Sequence, residues 1–198
     1  MSTLPPGRFI PRDRVHAIAD AVDVDPGAHR QAILRIRRKH ARLMRYVDAA
    51  ELGRDDVRDL CRYLVAVAVR VLESEGRLRA PSRHDLTAAE ARVRPLVGDV
   101  LPLRPGGTDA ARAVARAQPH LLDEALDALF EWPGASVADD AEKVRVYLVL
   151  WVVVEALDAC WTPPARFVGD TTYVRVHVPA PPVFPDPVPD SQEVSHVV

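Results

Sequence analysis

The sequence predicts an all-α protein, a bundle of six or seven helices, and three observations support this fold class. Apolar residues recur at helical spacing along most of the 198-residue chain. Two helical segments also share a pattern: Asp55-Asp56, Tyr63-Leu64-Val65 and Val69 recur 84 positions later as Asp139-Asp140, Tyr147-Leu148-Val149 and Val153. Only residues 171–178 alternate clearly as a strand does. We therefore expect two pseudo-repeated helical hairpins, with chance identity as the alternative, then one C-terminal strand and an extended proline-rich tail.

Three helices are predicted in the first half of the chain. The first covers about residues 14–22, and the second runs from Pro26 to about Ala50, because proline suits the first turn of a helix. The second helix carries one apolar stripe with alternating spacings of three and four residues: Ile33, Ile36, His40, Leu43 and Val47. The third covers residues 55–75, and its wide apolar face requires more than one neighbouring helix.

Three further helices are predicted in the second half. Thr87 and Glu90 have the spacing of a capping box, which indicates a helix start. The next helix begins at Thr108, is kinked or interrupted by Pro119 and continues with helical periodicity over residues 121–130. The last covers about residues 136–161 and is apolar on nearly every side, so we expect it to be the most buried element.

The chain is predicted to fold as one domain with a C-terminal extension. A connector over residues 77–85 separates two halves of this domain. Six prolines in the eleven residues from Pro179 exclude a helix there and favour an extended tail. The predicted ranges are 1–164 for the helical domain, with halves 12–80 and 86–162, then 165–178 for the strand segment and 179–198 for the tail.

Opposite charges divide the two halves of the sequence. Residues 1–85 hold 17 Lys and Arg against 12 Asp and Glu, a balance of +5, whereas residues 86–198 hold 9 against 16, a balance of −7. The sum is the net charge of −2. Near-neutrality argues against a general coat for nucleic acid or membrane, and the asymmetry favours complementary packing or two faces with different partners.

Cysteine usage and hydropathy indicate a cytoplasmic protein. Cys61 and Cys160 lie in apolar helical patterns, where cysteine usually acts as a small apolar side chain, so we predict a reducing compartment. The N-terminus lacks the apolar segment of a signal peptide. The longest apolar run, residues 146–154, is too short to span a bilayer, so we predict no membrane partner.

The leading functional hypothesis is a non-enzymatic protein–protein interaction module, such as an adaptor, regulator or assembly subunit. A lone strand needs a partner, either a short strand of this chain near Phe9-Ile10 or another molecule, and proline-rich segments lose little entropy on docking. The strand and tail would therefore engage another chain, either a second copy or a foreign protein. The candidate partner-binding residues are Tyr173, Val174, Val176, Val178, Val183 and Phe184.

An arginine stripe on the second helix supports nucleic-acid binding as the alternative. Basic side chains one turn apart can follow a phosphate backbone. A solvated or salt-bridged helix face explains the same pattern, and no aromatic residues alternate with the basic ones. The stripe consists of Arg35, Arg38, Lys39, Arg42 and Arg45.

A small helical enzyme or ligand-binding domain is a third hypothesis, with a pocket near Glu155, Asp158 and Trp161, although a polar helix edge explains these residues equally. We predict no catalytic residue, metal site or cofactor, because the seven histidines are scattered and no nucleophile or nucleotide motif is present.

An acidic stripe recurs after Pro119 and either faces solvent or meets the arginine stripe: Asp123, Asp127 and Glu131.

Overall fold

The computed structural model describes residues 9–24, 26–103, 116–131 and 139–164. These ranges hold seven α-helices of nine or more residues, one single-turn α-helix, one 3-10 helix and one pair of two-residue strands. The prediction of an all-α fold is confirmed for this part of the chain. The predicted strand over residues 171–178 and the tail lie outside the described residues.

The elements follow one another in a simple order. In the first half these are α1 (Arg12–Val24), α2 (Pro26–Lys39), α3 (Ala41–Ala49), α4 (Asp55–Glu75) and the strand β1 (Arg77–Leu78). In the second half these are α5 (Arg83–Val93), a 3-10 helix (Arg94–Leu96), α6 (Val97–Val100), α7 (Pro119–Glu131), α8 (Asp140–Ala159) and the strand β2 (Trp161–Thr162).

The two helices that share the repeated pattern, α4 and α8, pack against each other at the centre of the fold. Helices α1, α2 and α3 cover α4, and α5 and α7 cover α8. As predicted from its apolar sequence, α8 is buried on most sides, and its largest fully buried side chains are Tyr147, Leu150, Trp151 and Leu157. Burial of this apolar surface is the main favourable contribution to folding.

The prediction of one continuous helix over residues 26–50 is wrong, because the helix is kinked at His40. Helix α2 ends at Lys39 and α3 begins at Ala41, with His40 at φ −113° and ψ 41° between them. Backbone bonding persists across the kink, since His40 N donates to Ile36 O and Met44 N donates to His40 O. Both helices contact α4, so the predicted apolar stripe is buried on either side of the kink.

The predicted helix start at Thr87 is also wrong, because α5 begins one turn earlier. Ser82 is the N-cap: its hydroxyl accepts from Asp85 N at 3.2 Å, and the Asp85 carboxylate accepts from Ser82 N at 2.7 Å. This reciprocal pair satisfies two backbone donors at the helix start. Pro119 is the first residue of α7, where its missing N–H costs nothing, and the part of the predicted helix before residue 116 lies outside the described residues.

A short antiparallel pair joins the ends of α4 and α8; β1 lies in the segment predicted as a connector, and β2 follows the last helix. Arg77 pairs with Thr162, and Leu78 pairs with Trp161. The indole N–H of Trp161 donates to Leu72 O at 2.8 Å. The last four carbonyl groups of a helix have no partner within it, so this bond satisfies one of those of α4.

Candidate functional site

The predicted partner-binding residues lie outside the described residues. These are Tyr173, Val174, Val176 and Val178 of the predicted strand, and Val183 and Phe184 of the tail. The strand and tail therefore stay a prediction, and the candidate sites of the described ranges are clefts among the helices.

The arginine stripe is divided by the kink at His40. On α2, Arg35 contacts the Glu73 carboxylate of α4 at 3.0 Å, and Lys39 donates to the same carboxylate. Beyond the kink, Arg42 and Arg45 of α3 line a separate shallow cleft with Arg83. Arg38 is exposed on α2. The basic residues thus serve two clefts and do not form one straight row.

Glu155, Asp158 and Trp161 lie in packed surroundings. Trp161 covers the end of α4, as described above. The Asp158 carboxylate accepts from the Gln118 amide at 2.8 Å, and the Gln118 amide oxygen accepts from Ile10 N at 3.0 Å. Glu155 accepts from Ala117 N at 2.9 Å. Because buried polar groups need partners, these bonds fix the chain segment that precedes α7 against α8.

Replacing Glu155 with alanine should lower the free energy of unfolding by about 1–3 kcal/mol. The change removes the acceptor of Ala117 N at 2.9 Å and of the Trp151 indole N–H at 3.4 Å. Glu155→Gln keeps an amide oxygen for both donors and should cost less than about 1 kcal/mol. Urea denaturation of both variants, followed by circular dichroism, measures the difference; equal losses would contradict a hydrogen-bonding role.

A groove of about 660 Å³ opens between α1 and α7, and α4 and α8 form its floor. We call it the acidic groove. Its floor is apolar and includes Leu64, Val67, Leu150 and Val154, and Leu121 and Ala125 continue this apolar surface onto the α7 wall. Small side chains leave the space open, since Ala19, Ala68, Ala125 and Ala128 line it where larger side chains would fill it.

The rim of the acidic groove is strongly charged. Five acids and two basic side chains form it: Asp13, Asp20, Glu124, Asp127, Glu131, Arg12 and His16. With neutral His16, five carboxylates against one guanidinium give a balance of −4. The acidic stripe predicted after Pro119 therefore borders this groove through Asp127 and Glu131, and does not meet the arginine stripe.

Charged rim positions follow the same spacing on both walls. Residues 13, 16 and 20 of α1 are at i, i+3 and i+7, and so are residues 124, 127 and 131 of α7. Seven residues of helix rise about 10 Å, so the rim charges extend along two turns of each wall. The acids of α7 were predicted from the sequence as a stripe and those of α1 were not, although the shared spacing is visible in the sequence.

Two contacts bridge the walls. Arg12 lies 3.5 Å from the Asp127 carboxylate, and His16 lies 3.3 Å from the Glu124 carboxylate. The hydrogen bond to Glu124, together with the charges of Glu124 and Asp20, raises the pKa of His16. Since protonation favours this contact, it is complete at low pH and is lost as the pH rises through the raised pKa.

Metal and thiol chemistry find little support in the described ranges. No group of three His, Cys, Asp or Glu side chains there is placed to hold a metal ion. Both cysteines are buried and free, and burial raises the pKa of Cys61 to about 12 and of Cys160 to about 11. Thiols with such values are poor nucleophiles at neutral pH.

Within the described ranges, no helix combines the length and apolar character needed to cross a membrane.

Comparison with known proteins gives no relative. No protein-family model, no curated protein and no solved structure matches the chain.

Proposed function

We propose that this chain is a non-enzymatic protein-interaction module whose acidic groove binds a cationic amphipathic helix of a partner protein. The observation that carries the proposal is an apolar floor between two walls of regularly spaced carboxylates. A helix with an apolar face and flanking Lys or Arg side chains matches both properties. Recognition of an amphipathic helix in an apolar groove is a recurring mode of protein interaction.

The extent of the rim favours an elongated partner over a compact ligand. Acids stand two turns apart on each wall, at Asp13 and Asp20 of α1 and at Glu124 and Glu131 of α7. A small molecule with one cationic group would use one of these positions. A helix that presents a basic side chain at successive turns can use all of them, and such complementarity contributes to specificity and association rate.

The chain's own basic side chains indicate where the partner's would bind. Arg12 and His16 already contact Asp127 and Glu124 across the groove. Both are largely exposed, with 67% and 62% of the side chain accessible, so their ion pairs are weak and a partner can displace them. The same reasoning predicts that binding weakens as ionic strength rises.

Fluorescence anisotropy with a labelled amphipathic peptide of leucine and lysine tests the proposal. We expect binding of this peptide, and no binding of a leucine and glutamate peptide with the same pattern. Ala128→Leu, which partly fills the groove, should weaken binding about tenfold or more, because it occupies space that the apolar face of the peptide needs, and such overfilling costs about 1–3 kcal/mol. Asp127→Asn should weaken it less, as expected for a partly exposed charge.

Ala91→Leu on α5 is the matched control, because Ala91 is exposed and does not line the groove. Melting temperatures of all variants verify that each folds. Equal binding of both peptides, or Ala128→Leu binding as tightly as the unchanged chain, would refute the groove as the binding surface.

The strand and tail remain part of this proposal as a second contact with the partner, in the cytoplasm. Nucleic-acid binding by the arginine stripe is the less supported alternative. Arg35 and Lys39 share Glu73, and the kink at His40 separates them from Arg42 and Arg45. Retention of a generic duplex at low salt, lost in Arg38→Ala combined with Arg42→Ala, would favour that alternative.

A further inference from the structure

A basic cleft lies on another face of the fold, where α2 ends beside the end of α4 and β1. Four basic side chains line it, Arg35, Lys39, Arg70 and Arg77, together with Glu73, Ser74 and the backbone at Gly76. We call it the basic cleft. It shares no lining residue with the acidic groove.

The acid inside the cleft does not balance its basic side chains. Glu73 uses both carboxylate oxygens, one toward Arg35 and one toward Lys39. Burial alone raises the pKa of Glu73, but the hydrogen bond and charge of Lys39 and the charge of Arg35 outweigh burial, so its pKa is lowered. Glu73 is therefore ionised and contributes one negative charge against four positive ones.

Helix ends supply part of the remaining compensation. The C-terminus of an α-helix carries roughly −0.5 of an elementary charge, and both α2 and α4 end at this cleft. Together with Glu73 they offset about two of the four positive charges. About two of the four positive charges therefore remain uncompensated, although both helix ends are already counted.

Arg70 supplies an unsatisfied donor. It is partly buried in α4, one turn before Glu73, and its Nη1 atom is excluded from solvent without a hydrogen-bond partner. Buried polar groups in folded proteins are nearly always partnered, so a group left unpaired calls for an explanation. Arg70 also lines the cleft, so a turn of its side chain would present this donor to the acceptor oxygens of a ligand there.

We propose that the basic cleft binds a phosphoryl group, as free phosphate or as the phosphate monoester of a small molecule. A phosphate monoester carries about −1.5 to −2 charges near neutral pH, which matches the uncompensated charge of the cleft. Its oxygens match the planar donor pairs of Arg70 and Arg77, since guanidinium groups bind phosphate in bidentate fashion. The basic side chains come from the ends of α2 and α4 and from β1 and surround one cleft, which favours one compact group over a polymer backbone.

Calorimetric titration at pH 8 and constant ionic strength, with inorganic phosphate and with glycerol 3-phosphate, tests the proposal. Arg70→Gln and Arg77→Gln should each weaken phosphate binding about tenfold or more, because each removes charge-assisted hydrogen bonds. Arg94→Gln is the matched control, an exposed arginine outside the cleft, and should change affinity less than twofold. Tighter binding of the ester would identify an organic phosphate as the ligand, and equal binding would identify phosphate itself.

Thermal unfolding without phosphate provides an independent readout. Since Arg70 Nη1 has no partner, Arg70→Gln should not lower the melting temperature, whereas added phosphate should raise that of the unchanged chain and not that of the variant. Arg77 is exposed, so Arg77→Gln keeps the test valid if Arg70→Gln fails to fold. Failure of both probes to bind, retention of full affinity in both variants, or binding of only a nucleic-acid duplex would overturn the proposal.

Discussion

Replacing Trp151 with alanine is expected to lower the free energy of unfolding by about 3–5 kcal/mol. Trp151 has no accessible surface and lies in α8, beside Tyr147, with their ring centroids 6.2 Å apart. Its removal leaves a cavity between the central helices and deprives Glu155 of a donor. Small domains have a total stability of about 5–15 kcal/mol, so this single change removes a large fraction of it.

Urea denaturation followed by circular dichroism measures this effect, since the substitution itself alters tryptophan fluorescence. Trp151→Phe keeps an aromatic ring in the same space and should retain most of the stability that Trp151→Ala loses. Leu34→Ala is the matched control, because Leu34 is 54% exposed on α2 and should cost less than about 0.5 kcal/mol. A loss below about 1 kcal/mol for Trp151→Ala would show that α8 is not the packed centre of the fold.

Gly76→Ala is expected to lower the free energy of unfolding by about 1–3 kcal/mol. A Cβ atom at this position would overlap the Trp161 indole and lie 2.5 Å from Thr162 O, a backbone atom of β2. The backbone of Gly76 is extended, at φ 177°, so its conformation suits any residue and the cost comes from collision alone. To relieve this collision, the Trp161 indole must move away from Leu72 O, or β1 and β2 must separate.

Gly98→Ala is the control for this substitution. A Cβ atom at Gly98 meets no other atom within 4 Å, and Gly98 lies in the helix α6. Alanine is favoured over glycine in helices by about 0.5–1 kcal/mol, so this variant should be as stable as the unchanged chain or more stable. If both variants gain stability in urea denaturation, the contact between Gly76 and Trp161 is not tight.

Most of the helical fold could be predicted, because long segments with strong apolar periodicity carry their own signal. The predicted range 55–75 coincides with α4, and the apolar character of α8 predicted its burial. Periodicity did not reveal the kink at His40, since the apolar spacing continues through it and both flanking helices bury the same stripe. A stripe identifies a buried face without fixing the path of the helix axis.

Short elements escaped prediction for a different reason. The strands β1 and β2 have two residues each, so no alternation is available to detect. The true capping pair at Ser82 uses Asp85 where the usual pattern has Glu or Gln, and the better match at Thr87 was preferred. Side-chain contacts that the patterns do not show stabilise both elements: Arg79 pairs with Asp85 at the start of α5, and the Trp161 indole donates to Leu72 O.

The candidate site was predictable only in part. The acids of α7 and the basic residues of α2 were visible as stripes, but the pattern does not show which residues each stripe contacts. Asp127 of the acidic stripe meets Arg12 of α1, and the neighbouring Glu124 meets His16, both more than 100 residues away in sequence, whereas the basic stripe meets Glu73 of α4. Such pairings depend on which helices become neighbours, and the spacing of charges along one helix does not contain that information.

The pairing of β1 with β2 has the symmetry of a contact between two identical molecules. The offset of 84 residues that relates α4 to α8 also relates Arg77 to Trp161 and Leu78 to Thr162. In the observed register, Arg77 pairs with Thr162 and Leu78 pairs with Trp161, so each residue meets the counterpart of its neighbour. Antiparallel pairing always has this local two-fold relation, and an isologous contact between two identical chains uses the same one. The contact that would join two copies of a half-length chain thus joins the two halves of this one.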